Sequence, residues 1–176
     1  MPLSGSKAKY SMLSTPDLSD LNPEAQVLPC QFRLFGKRRT LFGAVATIAC
    51  FEDNSKVKEA VAEPGDGRVL VVDGGGSLAK ALTGDKVAQL AIENGWRGMV
   101  IVGAARDVEL IDTFDFCVMA LGTSPVKTEK LGQGARGVTL QIGDVRVNEG
   151  DYLAGDANGV LVLEHPFNTD STDTAD

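Results

Sequence analysis

Apolar residues are distributed in two kinds of run along this chain. Nearly unbroken apolar runs at 41–51 (LFGAVATIACF), 68–73 (RVLVVD), 98–103 (GMVIVG) and 116–121 (FCVMAL) read as strands, the first of them rich in small and β-branched residues and suited to burial on both faces. Residues 32–35 read as a further strand, separated from 41–51 by the turn Gly36-Lys37-Arg38-Arg39. Other segments carry apolar residues at helical spacing. One is 56–63, with Val57, Ala60 and Val61 on one face, Asn54-Ser55 before it and Pro64-Gly65-Asp66-Gly67 as its stop. Another is 84–94, with Val87, Leu90 and Ala91 on one face and Gly95 after its end. Thr15-Pro16-Asp17 reads as a helix start, with a hydroxyl cap, proline at the first position and an acid in the first turn. Strand, helix and strand in that order make a βαβ unit, so the sheet is locally parallel.

The last third has a different pattern. Short apolar segments at 138–142, 145–147 and 160–163 are separated by Gly143-Asp144, Glu149-Gly150-Asp151 and Asp156-Ala157-Asn158-Gly159, which are turn and hairpin signals. This region reads as antiparallel or mixed. The expected class is α/β, with a parallel βαβ core and an added mixed or antiparallel β layer. The expected organisation is a flexible segment 1–13, a single domain 14–167 and an acidic flexible tail 168–176.

Composition narrows the function classes. The 17 Lys and Arg are outnumbered by 24 Asp and Glu, a net charge of −7. Three of the acids lie in the tail, and the remaining 21 still exceed the bases. Binding to the nucleic-acid backbone requires a basic surface, so direct nucleic-acid binding is not expected. No run approaches 18 apolar residues and no apolar stretch follows Lys7 and Lys9, so neither a membrane span nor a signal peptide is read. Cys30, Cys50 and Cys117 are odd in number and widely spaced, which suits reduced thiols in a cytoplasmic protein. Glycine, 20 of 176 residues, exceeds its usual share of about 7 % without a collagen period.

Three segments could carry chemistry. Gly74-Gly75-Gly76-Ser77-Leu78-Ala79 follows a strand and satisfies G-x-G-x-x-[G/A], which is either part of a dinucleotide fingerprint or a tight turn; no acid ends the next strand and no Walker lysine follows. Gly84-Asp85-Lys86-Val87 opens a helix, where free N–H groups favour a small carboxylate unless Asp85 caps its own helix. Arg106-Asp107 lies just past a strand, at the sheet edge where α/β ligands gather; it is a surface pair or a substrate site. Arg106 can hold a carboxylate or an oxyanion. Asp107 offers a hard oxygen to Mg²⁺ or Mn²⁺.

Taken together, VVDGGGS followed by Asp85, twenty residues and Arg106-Asp107 resembles the family of regulators of ribonuclease E activity, which includes the class II 4-hydroxy-4-methyl-2-oxoglutarate aldolases. Thr15–Asp20, Phe51-Glu52-Asp53-Asn54 and Gly155–Val160 extend the resemblance over about residues 14–164. It implies a three-layer β/β/α fold, a homotrimer or a hexamer of trimers, and active sites between subunits. It implies a divalent metal at Asp107, substrate binding at Gly84, Asp85, Lys86, Val87 and Arg106, and catalytic roles for Arg106 and Asp85. The implied activity is metal-dependent cleavage of 2-oxo acids through a pyruvate enolate, by aldol cleavage or by oxaloacetate decarboxylation. The larger aldolases use a glutamate from the neighbouring subunit, and no matching glutamate is found here. Decarboxylation needs no base for bond cleavage and is therefore the easier of the two reactions to retain. The family also contains non-catalytic regulators that inhibit an RNA-degrading enzyme by protein contact, and this is the alternative. A Schiff base at Lys80 is the mechanistic rival. His165, the lone histidine, has no partners for a zinc site.

Overall fold

The computed structural model describes residues 13–170, so the expected N-terminal segment, apart from Leu13, and the end of the tail lie outside the described residues. The elements in chain order are α1 Thr15–Leu21, β1 Gln26–Val27, β2 Arg33–Phe35, β3 Leu41–Ala49, α2 Ser55–Val61, β4 Val69–Asp73, β5 Ala81–Thr83, α3 Asp85–Glu93, β6 Gly98–Ala105, α4 Val108–Ile111, β7 Val118–Thr123, β8 Ala135–Arg136, β9 Leu140–Ile142, β10 Val145–Val147, β11 Tyr152–Asp156 and β12 Gly159–Leu163. The main sheet runs β1-β12-β11-β3-β4-β6-β7-β2, with β5 on β6 and β8 on β3, and β9 and β10 form a separate hairpin. Its centre, β3-β4-β6-β7, is parallel. Its flanks are antiparallel: β2 on β7, β11 on β3, and β12 between β11 and β1.

The unbroken apolar runs are explained by what covers each face of the parallel strands. Successive side chains of a strand point to opposite faces. Leu70 and Val72 of β4 and Met99 and Ile101 of β6 join Val57, Ala60 and Val61 of α2 and Val87, Ala88 and Ala91 of α3 in one core. Val69, Val71, Val100 and Val102 face the other way, onto Leu140, Ile142, Val145, Val147, Leu153 and Val162. Helices, parallel sheet and a second β layer therefore stack in that order, the expected three-layer α/β arrangement. Val69 through Val72 are fully buried, and such burial stabilises by about 1.5–3 kcal/mol per side chain.

Several local expectations change. The cap of α1 is Ser14, whose hydroxyl accepts from the N–H of Asp17 at 3.3 Å, and not Thr15. Buried Asp156 takes the Thr15 hydroxyl instead, at 2.7 Å, and accepts the Thr15 N–H at 2.8 Å. The Asn54 side chain does not cap α2, because it donates to the Leu82 carbonyl and accepts from the Thr128 hydroxyl. The strand at 98–103 extends to Ala105. β5, α4, β8 and β11 had no counterpart in the sequence pattern, and neither did β1. Most are too short to display a period. β11 (YLAGD) is mostly buried but has only two bulky apolar side chains, Tyr152 and Leu153. At the start of the expected tail, Asn168 donates its N–H to Asn22, whose side-chain amide returns a bond to the Asn168 carbonyl.

Candidate functional site

The glycine loop is a turn and not a phosphate cradle. The N–H groups of Gly74 and Gly76 both donate to the Val102 carbonyl of β6, and that of Gly75 donates to the Asp73 carboxylate. These donors are therefore used within the fold. No helix opens at the glycines, since α3 begins only after β5, and the dinucleotide reading loses its anion site. The loop returns the chain to the carboxyl end of β6, where Ala81 pairs with Ala104 and Thr83 with Ala105. Ser77 also fastens the loop, donating to Glu52 at 2.9 Å.

This return brings the two halves of the Asp85…Arg106-Asp107 pattern together. The Arg106 N–H donates to the Thr83 carbonyl at 2.9 Å, so Gly84 and Asp85 leave β5 beside the point where Arg106 and Asp107 leave β6. Gly84 is the N-cap of α3 and is buried, with an extended backbone. A methyl group at Gly84 would lie 3.3 Å from both Arg106 Cγ and Asp107 Oδ2. The bare glycine therefore permits this close approach. Asp85 is the first residue of α3 and makes no side-chain capping bond, so the self-capping reading does not hold. The first intrahelical bond runs from the Ala88 N–H to the Gly84 carbonyl. The preceding N–H groups of Asp85, Lys86 and Val87 remain at the positive end of the helix.

Asp107 has φ 53°, left-handed for a residue that is not glycine, and it is the N-cap of α4. Non-glycine residues in this region cost energy and concentrate at functional sites. Arg106 Nε lies 3.6 Å from Asp107 Oδ2, and each side chain is 39 % exposed. Both are thus accessible to a ligand while held near one another.

All the predicted residues, Gly84, Asp85, Lys86, Val87, Arg106 and Asp107, line one cleft of about 400 Å³. Residues not predicted from the sequence complete it: Lys58 from α2, Asn54 before it, Thr83, and Lys127, Thr128 and Lys130 from the segment after β7. Five cations thus line the cleft against the carboxylates of Asp85 and Asp107, in a chain of net charge −7. Burial lowers the pKa of the Lys58 ammonium, and Lys130 and Lys86 lower it further by repulsion. The only signal for this wall in the sequence was the charge run Lys127-Thr128-Glu129-Lys130, which by itself reads as solvated surface. Lys80 does not line the cleft. His165 lies 3.5 Å from Glu24, beside a separate hollow of about 530 Å³ that contains none of the predicted site residues.

The donors suit a hard divalent ion of the kind bound through one carboxylate with the remaining ligands from water and substrate. The Asp107 carboxylate is accessible, and the space beside it is one that a Cβ at Gly84 would narrow. Among the described residues no three His, Cys, Asp or Glu side chains gather as a protein-only cage.

At the carboxyl edge of the sheet's parallel centre a helix N-terminus, an arginine and a carboxylate meet, an arrangement of the α/β class whose chemistry suits a small anion. The chain belongs to the RraA-like family, described as Aldolase/RraA, which matches residues 15–162. It is 49 % identical over 154 residues to a Shewanella oneidensis protein named "Putative 4-hydroxy-4-methyl-2-oxoglutarate aldolase", covering 87 % of this chain and 94 % of that one. Among solved structures it is similar to the RNA-processing inhibitor RraA from Thermus thermophilis, with TM-score 0.85 and 44 % identity over 88 % of this chain and 94 % of that one. It is also similar to a Geobacillus kaustophilus protein named S-adenosylmethionine:2-dimethylmenaquinone methyltransferase, with TM-score 0.85 and 42 % identity, covering 93 % of this chain and all of that one. Proteins with differing names share this fold, so the functional reading rests on the site.

Proposed function

We propose that this chain is a divalent-metal-dependent lyase that cleaves 2-oxo acids to pyruvate, as a 4-hydroxy-4-methyl-2-oxoglutarate aldolase, an oxaloacetate decarboxylase or both. The observation that carries this reading is the convergence of the α3 N-terminus, Arg106 and Asp107 on one cationic cleft. The names of relatives at 49 % identity support it.

In the proposed complex the free N–H groups at Asp85, Lys86 and Val87 receive the C1 carboxylate of the substrate. Asp107 would hold the metal, with Mg²⁺ the expected ion and Mn²⁺ also suited. When bound, that ion supplies Lewis-acid stabilisation of the charge that develops on the C2 oxygen. Arg106 adds a fixed cation at the same oxygen, where it contributes most as the negative charge grows. In decarboxylation the C3–C4 bond breaks, CO₂ leaves, and the pyruvate enolate takes a proton at C3. In aldol cleavage the C4 hydroxyl first loses a proton. Asp85, in the cleft lining, is the group proposed to hold and move that proton.

Exposed Phe51, Leu78, Val126 and Leu131 lie in loops at the carboxyl end of the parallel strands, on the same side as the cleft. They support the proposal that copies of this chain assemble there as a homotrimer or a hexamer. The test of function is pyruvate release from a panel of 2-oxo acids, with and without EDTA. Metal-dependent release from oxaloacetate or the hydroxy-oxo acid is expected. A rate no higher than that of Mg²⁺ alone would overturn the reading.

A further inference from the structure

One buried carboxylate lies outside the cleft yet touches the segment that carries its lysines. Asp53, 2 % exposed, follows β3 and precedes α2. Its Oδ1 accepts the N–H of Ser55 at 2.9 Å and bonds the Ser55 hydroxyl. Its Oδ2 accepts the N–H of Leu131 at 2.9 Å and of Gln133 at 3.1 Å. The Ser55 hydroxyl in turn accepts the N–H of Gly132 at 3.0 Å. The adjacent Asn54 accepts from the Thr128 hydroxyl at 2.8 Å, and Thr128 is itself buried. Three consecutive residues at the start of α2 therefore fasten both sides of Lys130. The fastened segment has almost no packing of its own, since residues 129–137 are exposed throughout. Within one chain its place is set by these polar contacts at its start, and by the pairing of β8 with β3 and the bonds of Arg136 to Glu63 at its end, and not by a hydrophobic core.

We propose that Asp53 is a positioning residue: by gripping the backbone at Leu131 and Gln133 it fixes Lys130 on the cleft wall, beside Lys127, which its bridge to Ala81 holds, so that the site selects 2-oxo acids bearing a second, distal carboxylate. The selectivity part of this proposal rests on the lyase reading above; the grip on the segment does not. An anion held at the N–H groups of α3 and at Arg106 would extend toward these lysines, and their charge counts only if the segment stays in place. A carboxylate suits Asp53 because it is acceptor-only and faces four donors. An asparagine would put an amide N–H₂ against one of those N–H groups.

The experiment uses the full chain with Mg²⁺. For Asp53→Asn the KM for oxaloacetate is expected to rise about tenfold with kcat within twofold. The inhibition constant of pyruvate, which lacks the distal carboxylate, should stay within twofold. Trypsin cleavage after Lys130 should accelerate at least tenfold in the same protein. Ser55→Ala, which removes the bridge to Gly132, should move KM and cleavage in the same direction, and it decides the matter if Asp53→Asn fails to fold. Equal changes for oxaloacetate and pyruvate, or no change in KM, would overturn the selectivity role. Unchanged cleavage would overturn the grip itself. Faster cleavage in the variant, with wild type and variant both leaving oxaloacetate and 4-hydroxy-4-methyl-2-oxoglutarate intact, would support the grip and overturn the lyase reading.

Discussion

The Arg106 N–H donates to the Thr83 carbonyl at 2.9 Å, and this bond accounts for the twenty-residue spacing between Asp85 and Arg106. β5 and β6 are parallel neighbours, with Thr83 opposite Ala105. A parallel pair must be joined by a crossover, and α3 with its turn fills the interval. The residue pair that follows β5 therefore lies beside the pair that follows β6.

The two members of the second pair should separate functionally. Arg106→Ala is expected to lower kcat/KM for oxaloacetate by about 10²–10³, the usual loss for one donor to a developing oxyanion. Asp107→Ala should abolish metal-dependent turnover. Pyruvate release measured against Mg²⁺ concentration distinguishes them, since only Asp107→Ala should lose the metal response. Wild-type activity in the Arg106→Ala protein would remove the site assignment.

Gly84 and Gly95 bracket α3 and should respond in opposite ways to alanine. Gly84 has an extended backbone, so its alanine carries no conformational penalty, but the methyl presses on Arg106 and Asp107 at 3.3 Å. Gly84→Ala should lower activity at least tenfold with little change in Tm. Gly95 has φ +80°, and a methyl there would meet nothing within 4 Å, so Gly95→Ala should cost about 1–2 kcal/mol of stability through its backbone alone and leave activity intact. Denaturant titration and the pyruvate assay on both variants check this pair.

Acid should loosen the protein at two carboxylates. Burial raises the pKa of Asp53, but the hydrogen bonds from Ser55, Gln133 and Leu131 outweigh it and bring the value to about 2. Asp156 is also lowered: burial opposes, and bonds from Thr15 and Asn158 prevail. Because the folded values lie below the unfolded ones, both groups stabilise the fold above about pH 4. The Asp53 contribution is lost as pH falls from about 4 toward 2, and that of Asp156 as pH falls through its own lowered pKa. Thr15→Val should remove part of it, together with about 1–3 kcal/mol from the bond to a buried carboxylate. Unfolding followed by circular dichroism between pH 6 and 2 gives the comparison, and a pH-independent difference between the two proteins would contradict the assignment.

The thiols should differ in reactivity. Burial pushes Cys50 and Cys117 up to about 12, with Asp53 and Asp73 adding to the shift at Cys50. Cys30 is partly exposed and is raised less, again first by burial. A thiol reagent at pH 8 should titrate one cysteine slowly in the native protein and all three in denaturant. Rapid labelling of two or more in the folded state would contradict the burial.

The sequence by itself determined the parallel core, because a strand covered on both faces must be apolar at every position, as in 69–72. It determined the antiparallel end region through its turn residues. It also marked Gly84, Asp85, Arg106 and Asp107, because a helix start and a strand end are local signals. The tertiary structure alone decided what surrounds them. Lys58 and Lys130 are 72 positions apart in sequence, and long-range contacts, among them those of Asp53 with Leu131 and Gln133, bring the second to the cleft beside the first. Thr15 has the sequence context of a cap, yet Asp156, 141 residues away, takes its hydroxyl. The physical reason is the same in each case. Periodicity and capping act over a few residues, whereas a buried carboxylate takes its donors from whatever segments the fold brings to it.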